Sequence, residues 1–538
     1  MRSLYRKIRI CRFMRLKIVT LSTLSISLLT LSACSTLPER QAVVATYANQ
    51  YQTSDSYLAH LFQPLKQSHP NQTGYHVLFE PTKALATRLQ LIERAQDTLD
   101  IQYYIWDNDK VGALALEAIL RAADRGVKVR LLVDDNNSKG LEPAFRTLTQ
   151  HPNIQVRVFN PYRFRNLRPL DMVLDLDRIT RRMHNKTFIV DQQVALIGGR
   201  NMSNQYFNAG ESYQFSDMDV LLVGQATDDI MASFDEYWNH DYAYPIADLN
   251  RNRADRLSMQ SLRKQLEKNW FDNTVEDYLG ILTSSISFDE WFNENLPLEW
   301  VNAQVIKDSA DKIKKDASKE QHLNFQMSTL LDRPKSHVDL VSAYFVPDEQ
   351  SRQIIKDFAE QGVQIRVLTN SYKANDVPFV HAFYSKYREP LLAEGVQLYE
   401  FLPTLPYTIS RSERKKLFAN QKEAKDGFNR SSLHAKFMAL DNSQVFVGSF
   451  NFDPRSAYLN TEIGVILDSP TLAKEIHNNL DQNIMSFAYK VQLDEHGQLE
   501  WQKKTENKTL TYKQEPQMSW WERWGLKLIS FLPIEGQM

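Results

Sequence analysis

HNKTFIVDQQVALIGGRN, residues 184–201, and HAKFMALDNSQVFVGSFN, residues 434–451, carry one pattern twice: His184, Lys186, Asp191, Gly198 and Asn201 recur as His434, Lys436, Asp441, Gly448 and Asn451, every pair 250 positions apart. A His and a Lys two residues apart share one face of a strand, because alternate side chains point the same way. Each copy therefore sets a nucleophile or acid beside a cation. The Asp falls at the turn into a second apolar run, 194–197 or 445–447, which predicts a strand-turn-strand hairpin. Glycine at 198 and 448 admits close backbone approach, and the Asn that follows can donate an amide hydrogen to an oxyanion. Where the first copy has Gly198-Gly199 the second has Gly448-Ser449, whose hydroxyl offers either an extra hydrogen bond to phosphate or a packing role. A single His on an apolar strand is more often a satisfied core residue; two matching copies favour chemistry, and a phosphate diester needs these groups.

The repeat extends outward. Residues 99–105 and 127–133 read as strands flanking an amphipathic helix at 112–123, and residues 338–345, 350–360 and 363–368 repeat the order, with Gly126 and Gly362 as the turns. The chain is thus an internally duplicated α/β protein. Between the halves the charged run 307–316 reads as a solvated loop or helix face with no catalytic role, and the basic segment 411–425, just before His434, as a solvated loop or a flap near a phosphate-bearing substrate.

With 538 residues, 43% hydrophobic and 24% charged, the chain is long enough to bury a duplicated core. Its net charge of −1 gives nucleic acid binding no support. The two cysteines, Cys11 and Cys34, leave the body downstream without a disulfide framework. Arg2, Arg6, Lys7, Arg9, Arg12, Arg15 and Lys17 precede an apolar run at 18–31, a signal-peptide layout too short for a comfortable membrane span. Met14 opens a more compact signal than Met1, and either start yields the same mature chain. Leu31-Ser32-Ala33-Cys34 resembles the lipobox of bacterial lipoproteins, which implies lipidation at Cys34 and a mature protein on a membrane surface; Ser35 favours outer-membrane sorting by the same resemblance. At the other end, 520–532 is rich in Trp and aliphatics with Arg523 and Lys527, and reads equally as an interfacial helix or as one docked on the protein's own core.

Both motifs match the His-x-Lys-x4-Asp pattern of the phospholipase D superfamily, and the longer stretches RRMHNKTFIVDQQVALIGGRN, TNSYKANDVPFVHAFYSKYREPLL and SLHAKFMALD look like the C-type bacterial cardiolipin synthases. The resemblance implies an α/β fold of two fused αβα sandwich halves, each a mixed sheet flanked by helices, related by pseudo-twofold symmetry. The divisions expected are a lipoprotein signal at 1–33, a tether at 34–70, the halves at 71–255 and 336–500, a connector at 256–335 and an amphipathic tail at 501–538. It also implies a ping-pong transfer in which His184 attacks phosphorus, His434 exchanges protons with the alcohols, and Lys186, Lys436, Asn201 and Asn451 hold the nonbridging oxygens, with Asp191 and Asp441 completing the catalytic motifs. An acid stands behind each histidine in that family; Asp219 and Glu462 occupy the matching places, with Asp217 a rival for the first. No cofactor and no metal are expected, since each motif sets a Lys where a metal would sit. The expected partners are a membrane surface and its phospholipids, phosphatidylglycerol and also phosphatidylethanolamine, with no nucleic acid. A hydrolytic phospholipase D is the first alternative, a nuclease sharing the motif the second, and a non-enzymatic envelope scaffold the third.

Overall fold

The computed structural model describes residues 43–51, 55–137, 139–165, 167–209, 213–249, 257–270, 297–403, 430–505, 507–532 and 535–537, with Leu37, Arg40 and Gly280. The signal run, Cys34 and the basic segment 411–425 lie outside the described residues. Two mixed sheets form the frame, one of 9 strands and one of 10. In the first, Thr98–Ile105, Lys128–Asn137 and Ile154–Phe159 run parallel, and Thr187–Val190, Val194–Gly198 and Asp219–Gly224 continue antiparallel beside Thr98–Ile105. The second repeats this plan with His337–Ser342, Gln364–Asn370 and Gln397–Phe401 parallel, then Lys436–Leu440, Gln444–Gly448 and Ile463–Leu467 antiparallel.

The helix expected at 112–123 runs Lys110–Asp124, started by the Asp109 side chain, which accepts the Gly112 N–H. Its Ala- and Leu-rich inner face packs on the outer surface of the first sheet. Between the sheets lie Gln225–Asn239 and Pro470–Phe487: Ile230, Phe234 and Trp238 from one and Leu472, Ile476 and Leu480 from the other share a core with Ile189, Val220, Phe437 and Val465. The shared layer makes the two halves one packed body.

The charged run between the halves is partly the solvated helix face expected, since the short helix Ala310–Lys314 leaves Asp311 and, just past it, Lys315 half-exposed, but part of it is built into the frame. Ala303–Lys307 is an edge strand of the second sheet, and Glu299–Val301 an edge strand of the first. Asp308 and Lys312 are almost wholly buried, bonded to each other at 2.9 Å. Each has a further partner that offsets the cost of burial: Asp308 accepts from the Leu323 N–H, and Lys312 donates to the Ser456 carbonyl. The C-terminal region also builds more than a tail, since Leu499–Lys504 and Thr509–Tyr512 extend the second sheet before the helix Trp520–Ile529.

Candidate active site

Each motif histidine is fixed by backbone from the opposite half. The His184 N–H donates to the Thr461 carbonyl at 2.9 Å, beside a parallel bridge from Met183 to Thr461. The His434 N–H donates to the Ser216 carbonyl at 2.7 Å, at the end of a parallel pair between Arg430–Leu433 and Tyr213–Ser216. The next residue along each opposing segment is an acid. Glu462 takes His184 Nδ1 at 2.8 and 3.0 Å, and Asp217 takes His434 Nδ1 at 2.6 Å. An ionised carboxylate only accepts, so both imidazoles carry their proton on Nδ1 and present an unprotonated Nε2.

Asp219 is therefore not the acid behind a histidine; Asp217 is. Asp219 is buried against Arg88 at 2.8 Å and Arg200 at 3.2 Å, a structural ion cluster. Laying Ser216-Asp217-Met218-Asp219-Val220 against Thr461-Glu462-Ile463-Gly464-Val465 sets Asp217 opposite Glu462 and Gly464 opposite Asp219. That alignment was a signal available in the sequence.

Asp191 and Asp441 also leave the expected site. Each lies at the far end of its motif strand, five residues from the Lys, or about 16 Å along an extended chain. Asp191 accepts the N–H groups of Gln96, Asp97 and Thr98, and Asp441 those of Lys335, Ser336 and His337. They clip the turn that feeds the neighbouring strand. Their distance along the strand keeps them from any group held between the histidines.

The glycines serve packing of the acids. A Cβ on Gly199 would sit 2.2 Å from an Asp217 carboxylate oxygen, and one on Gly198 2.3 Å from Asp219 Oδ1; one on Gly448 would meet the Ile463 carbonyl at 2.4 Å. Ser449, expected at phosphate or in packing, donates its hydroxyl to Glu462 Oε2 at 2.5 Å and accepts the Ile463 N–H. Asn201 is occupied as well: Oδ1 accepts the Ile105 N–H at 3.1 Å and Nδ2 donates to the Tyr206 hydroxyl at 2.8 Å. Asn451 is buried with its Oδ1 unpartnered among the described residues.

Lys186 and Lys436 fold back onto the carbonyl oxygens of their own histidines. Burial, with Lys186 assisting and Glu462 opposing, brings His184 down to about 4; burial and Lys436, against Asp217, bring His434 to about 3. Burial works against ionisation of Asp217, but His434, Lys436 and Arg200 prevail and hold it at about 2. Lys186 is lowered by burial to about 7, Glu462 opposing and Lys436 assisting, and burial lowers Lys436 too. The site thus holds neutral imidazoles, charged carboxylates and lysines ready to be stabilised by an anion. Because kcat/KM reports the free protein, it is expected to fall as pH rises past about 7, by about tenfold per unit, as Lys186 loses its proton. Lys186→Arg, which stays charged, is expected to shift that alkaline limb upward; a profile identical in both proteins would disagree.

Several neighbours carried no motif signal. Tyr104 meets the His184 ring edge-on at 4.9 Å, Tyr206 the His434 ring at 5.0 Å, and Phe215 stands 4.9 Å from His434. Asp308, from the connector, accepts the Glu462 N–H at 2.9 Å and so positions the acid behind His184.

The chain matches the family described as "Cardiolipin synthase, PLD-like domain" over residues 89–240 and 327–484. It is 39% identical over 483 residues to cardiolipin synthase C of Escherichia coli (strain K12), covering 89% of this chain and 99% of that protein. It is 24% identical over 414 residues to cardiolipin synthase 1 of Bacillus cereus, covering 77% of this chain and 67% of that one. Among solved structures, a phosphatidylserine synthase from Haemophilus influenzae shares the fold at a TM-score of 0.52 and 14% identity, over 87% of this chain and 96% of that one.

Proposed function

Since the chain belongs to the phospholipase D-like cardiolipin synthase family, a family of phosphatidyltransferases, we propose that it makes cardiolipin by moving a phosphatidyl group from one phosphatidylglycerol onto the glycerol hydroxyl of another. The observation that carries this reading is the meeting, across the two halves, of two carboxylate-backed histidines and two lysines. His184 Nε2 attacks phosphorus, the phosphorus–oxygen bond to the headgroup glycerol breaks, and His434, which takes up a proton on Nε2 as the anionic phosphate binds beside it, gives that proton to the departing oxygen. The acceptor hydroxyl then returns a proton to His434 as its oxygen attacks, and the phosphorus–nitrogen bond breaks. Lys186 and Lys436 swing from the histidine carbonyls to the nonbridging oxygens, where charge develops. Phosphatidylethanolamine is the second donor whose headgroup suits the same steps.

A bound lipid alcohol competes with water through its effective concentration, so transfer needs the acceptor held in line. The test is lipid mass analysis after incubating the purified chain with phosphatidylglycerol. Cardiolipin and free glycerol are expected. Phosphatidic acid without cardiolipin would replace transfer with hydrolysis, and cleaved DNA with untouched lipid would remove both.

The lipid surface is met by two devices in this reading. Cys34 carries acyl chains after signal cleavage and holds the mature protein on the periplasmic side, at the outer membrane. The helix Trp520–Ile529 adds a contact: Leu526 and Ile529 pack inward beside Ala382 and Tyr372, while Trp520, Trp521, Trp524, Leu528, Phe531 and Leu532 are exposed, with Arg523 and Lys527 among them. Both expectations for this helix therefore have a face that supports them. Among the described residues no helix is long and apolar enough to cross a membrane. Replacing Trp521 and Trp524 with serine in a chain lacking residues 1–34 is expected to weaken binding to phosphatidylglycerol vesicles about tenfold or more, read by flotation; undiminished binding would remove the helix from the interface.

A further inference from the structure

Both motif histidines face a tyrosine ring, but one tyrosine alone turns its hydroxyl to the imidazole. The Tyr104 hydroxyl points away to Asn136 Nδ2, from which it accepts at 3.1 Å. The Tyr206 hydroxyl accepts from Asn201 Nδ2 at 2.8 Å and stands 3.4 Å from His434 Nε2. Because Nδ1–H of His434 is committed to Asp217, Nε2 is the acceptor and Tyr206 the donor. His184 Nε2 has no such hydrogen bond among the described residues; the bonds of its ring go through Nδ1 to Glu462.

The asymmetry is written in the repeat. The 250-residue offset that relates the two motifs carries Tyr206 onto Ser456. The Ser456 hydroxyl accepts the Asn451 N–H at 3.3 Å and bonds to neither histidine among the described residues. Asn201 is clamped by Ile105 and Tyr206, whereas Asn451 keeps an unpartnered Oδ1. Beside the differences behind the rings, Asp217 with Gly199 against Glu462 with Ser449, and Lys436 Nζ 3.1 Å from His434 Nδ1, the Tyr206 hydroxyl is the difference that lies on the Nε2 side.

We infer that Tyr206 is a positioning residue that makes the two histidines unequal, engaging the lone pair of His434 so that His184 attacks phosphorus and His434 is reserved for proton exchange with the alcohols. The inference rests on the transfer reading above and deepens it. The Tyr206 oxygen stands near the place an alcohol oxygen must take to trade a proton with His434. A bond of 3.4 Å is long for O–H···N, so it yields to that oxygen at small cost. A phenol hydroxyl can donate to neutral His434 and accept from its cation, which serves both halves of the cycle. Tyr206 is buried, and burial keeps its phenol protonated.

Tyr206→Phe removes the hydroxyl and keeps the ring against His434 and Phe215. Purified full-length chain is mixed with phosphatidylglycerol in detergent micelles, quenched in alkaline detergent, and the phosphatidyl adduct located by peptide mass spectrometry. In the parent protein the adduct is expected on His184 alone. In Tyr206→Phe, with an unchanged melting temperature, an adduct on His434 is expected to appear at about a tenth or more of that on His184, and kcat to fall about tenfold at constant KM. An adduct confined to His184 in both proteins with unchanged kcat would leave Tyr206 as packing and overturn the inference, as would an adduct on His434 in the parent. No adduct on either histidine of either protein would overturn the transfer reading itself, and the inference with it.

Discussion

Alanine at His184 or at His434 is expected to lower cardiolipin formation by on the order of 10⁴-fold or more, with each variant folded as the parent is. The two substitutions act on different steps. Without His184 the nitrogen placed to carry the phosphatidyl group is gone, and an oxygen, of water or of the acceptor alcohol, must attack phosphorus directly. Without His434 the headgroup must leave as an unprotonated alkoxide, so the adduct forms slowly and decays slowly. The cost is the same order in both because the cycle needs both steps. Lys186 and Lys436 bring the positive charge that a phosphodiester requires, so chelators are expected to leave the parent activity intact. Rates measured on phosphatidylglycerol with and without chelator check this, and activity lost to chelator and restored by zinc or magnesium would contradict it.

The second large effect separates two aspartates that lie two residues apart. Asp219→Ala leaves Arg88 and Arg200 buried without their shared carboxylate. A buried charge stripped of its partner costs about 3–5 kcal/mol, so the variant is expected to unfold at clearly lower denaturant while any folded fraction keeps its site. Asp217→Asn is expected to do the reverse. The amide donates where the carboxylate accepted, His434 moves its proton from Nδ1 to Nε2, and the tautomer is wrong for taking a proton from the acceptor alcohol. The same replacement behind a catalytic histidine elsewhere costs about 10⁴ in rate with little change in geometry. Denaturant unfolding and turnover measured on both variants decide the matter; equal stability loss in the two would refute the division of labour.

Periodicity sufficed for the duplicated frame. A 2-residue alternation on either side of a helical stretch, met twice, leaves few folds open, and the parallel pairs at 98–105 with 128–137 and 337–342 with 364–370 follow it. The pairing of acids with histidines was harder to read because it crosses between halves. A residue chosen by its distance along the chain from His184 ignores that the acid behind His184 is Glu462, 278 positions away. Within the charged run 307–316 the solvated helix face holds for Asp311 and Lys315, but pattern alone expects every charge to face water, whereas Asp308 and Lys312 pair inside the protein. Tyr206 had no motif to announce it. Its role depends on where a hydroxyl points, which spacing does not encode.

The exchange of backing acids between the two halves has a consequence for how such a site can change. If two identical subunits met at this interface, every substitution near one histidine would appear near the other, and the two would remain interchangeable. Joining the copies in one chain removes that constraint. Asp217 faces Gly199 while its counterpart Glu462 faces Ser449, and Tyr206 answers to Ser456. Covalent fusion has thus let each position be optimised for a single duty, and a severed half, deprived of the carboxylate lent by its neighbour, would keep its histidine but lose the group that orients it.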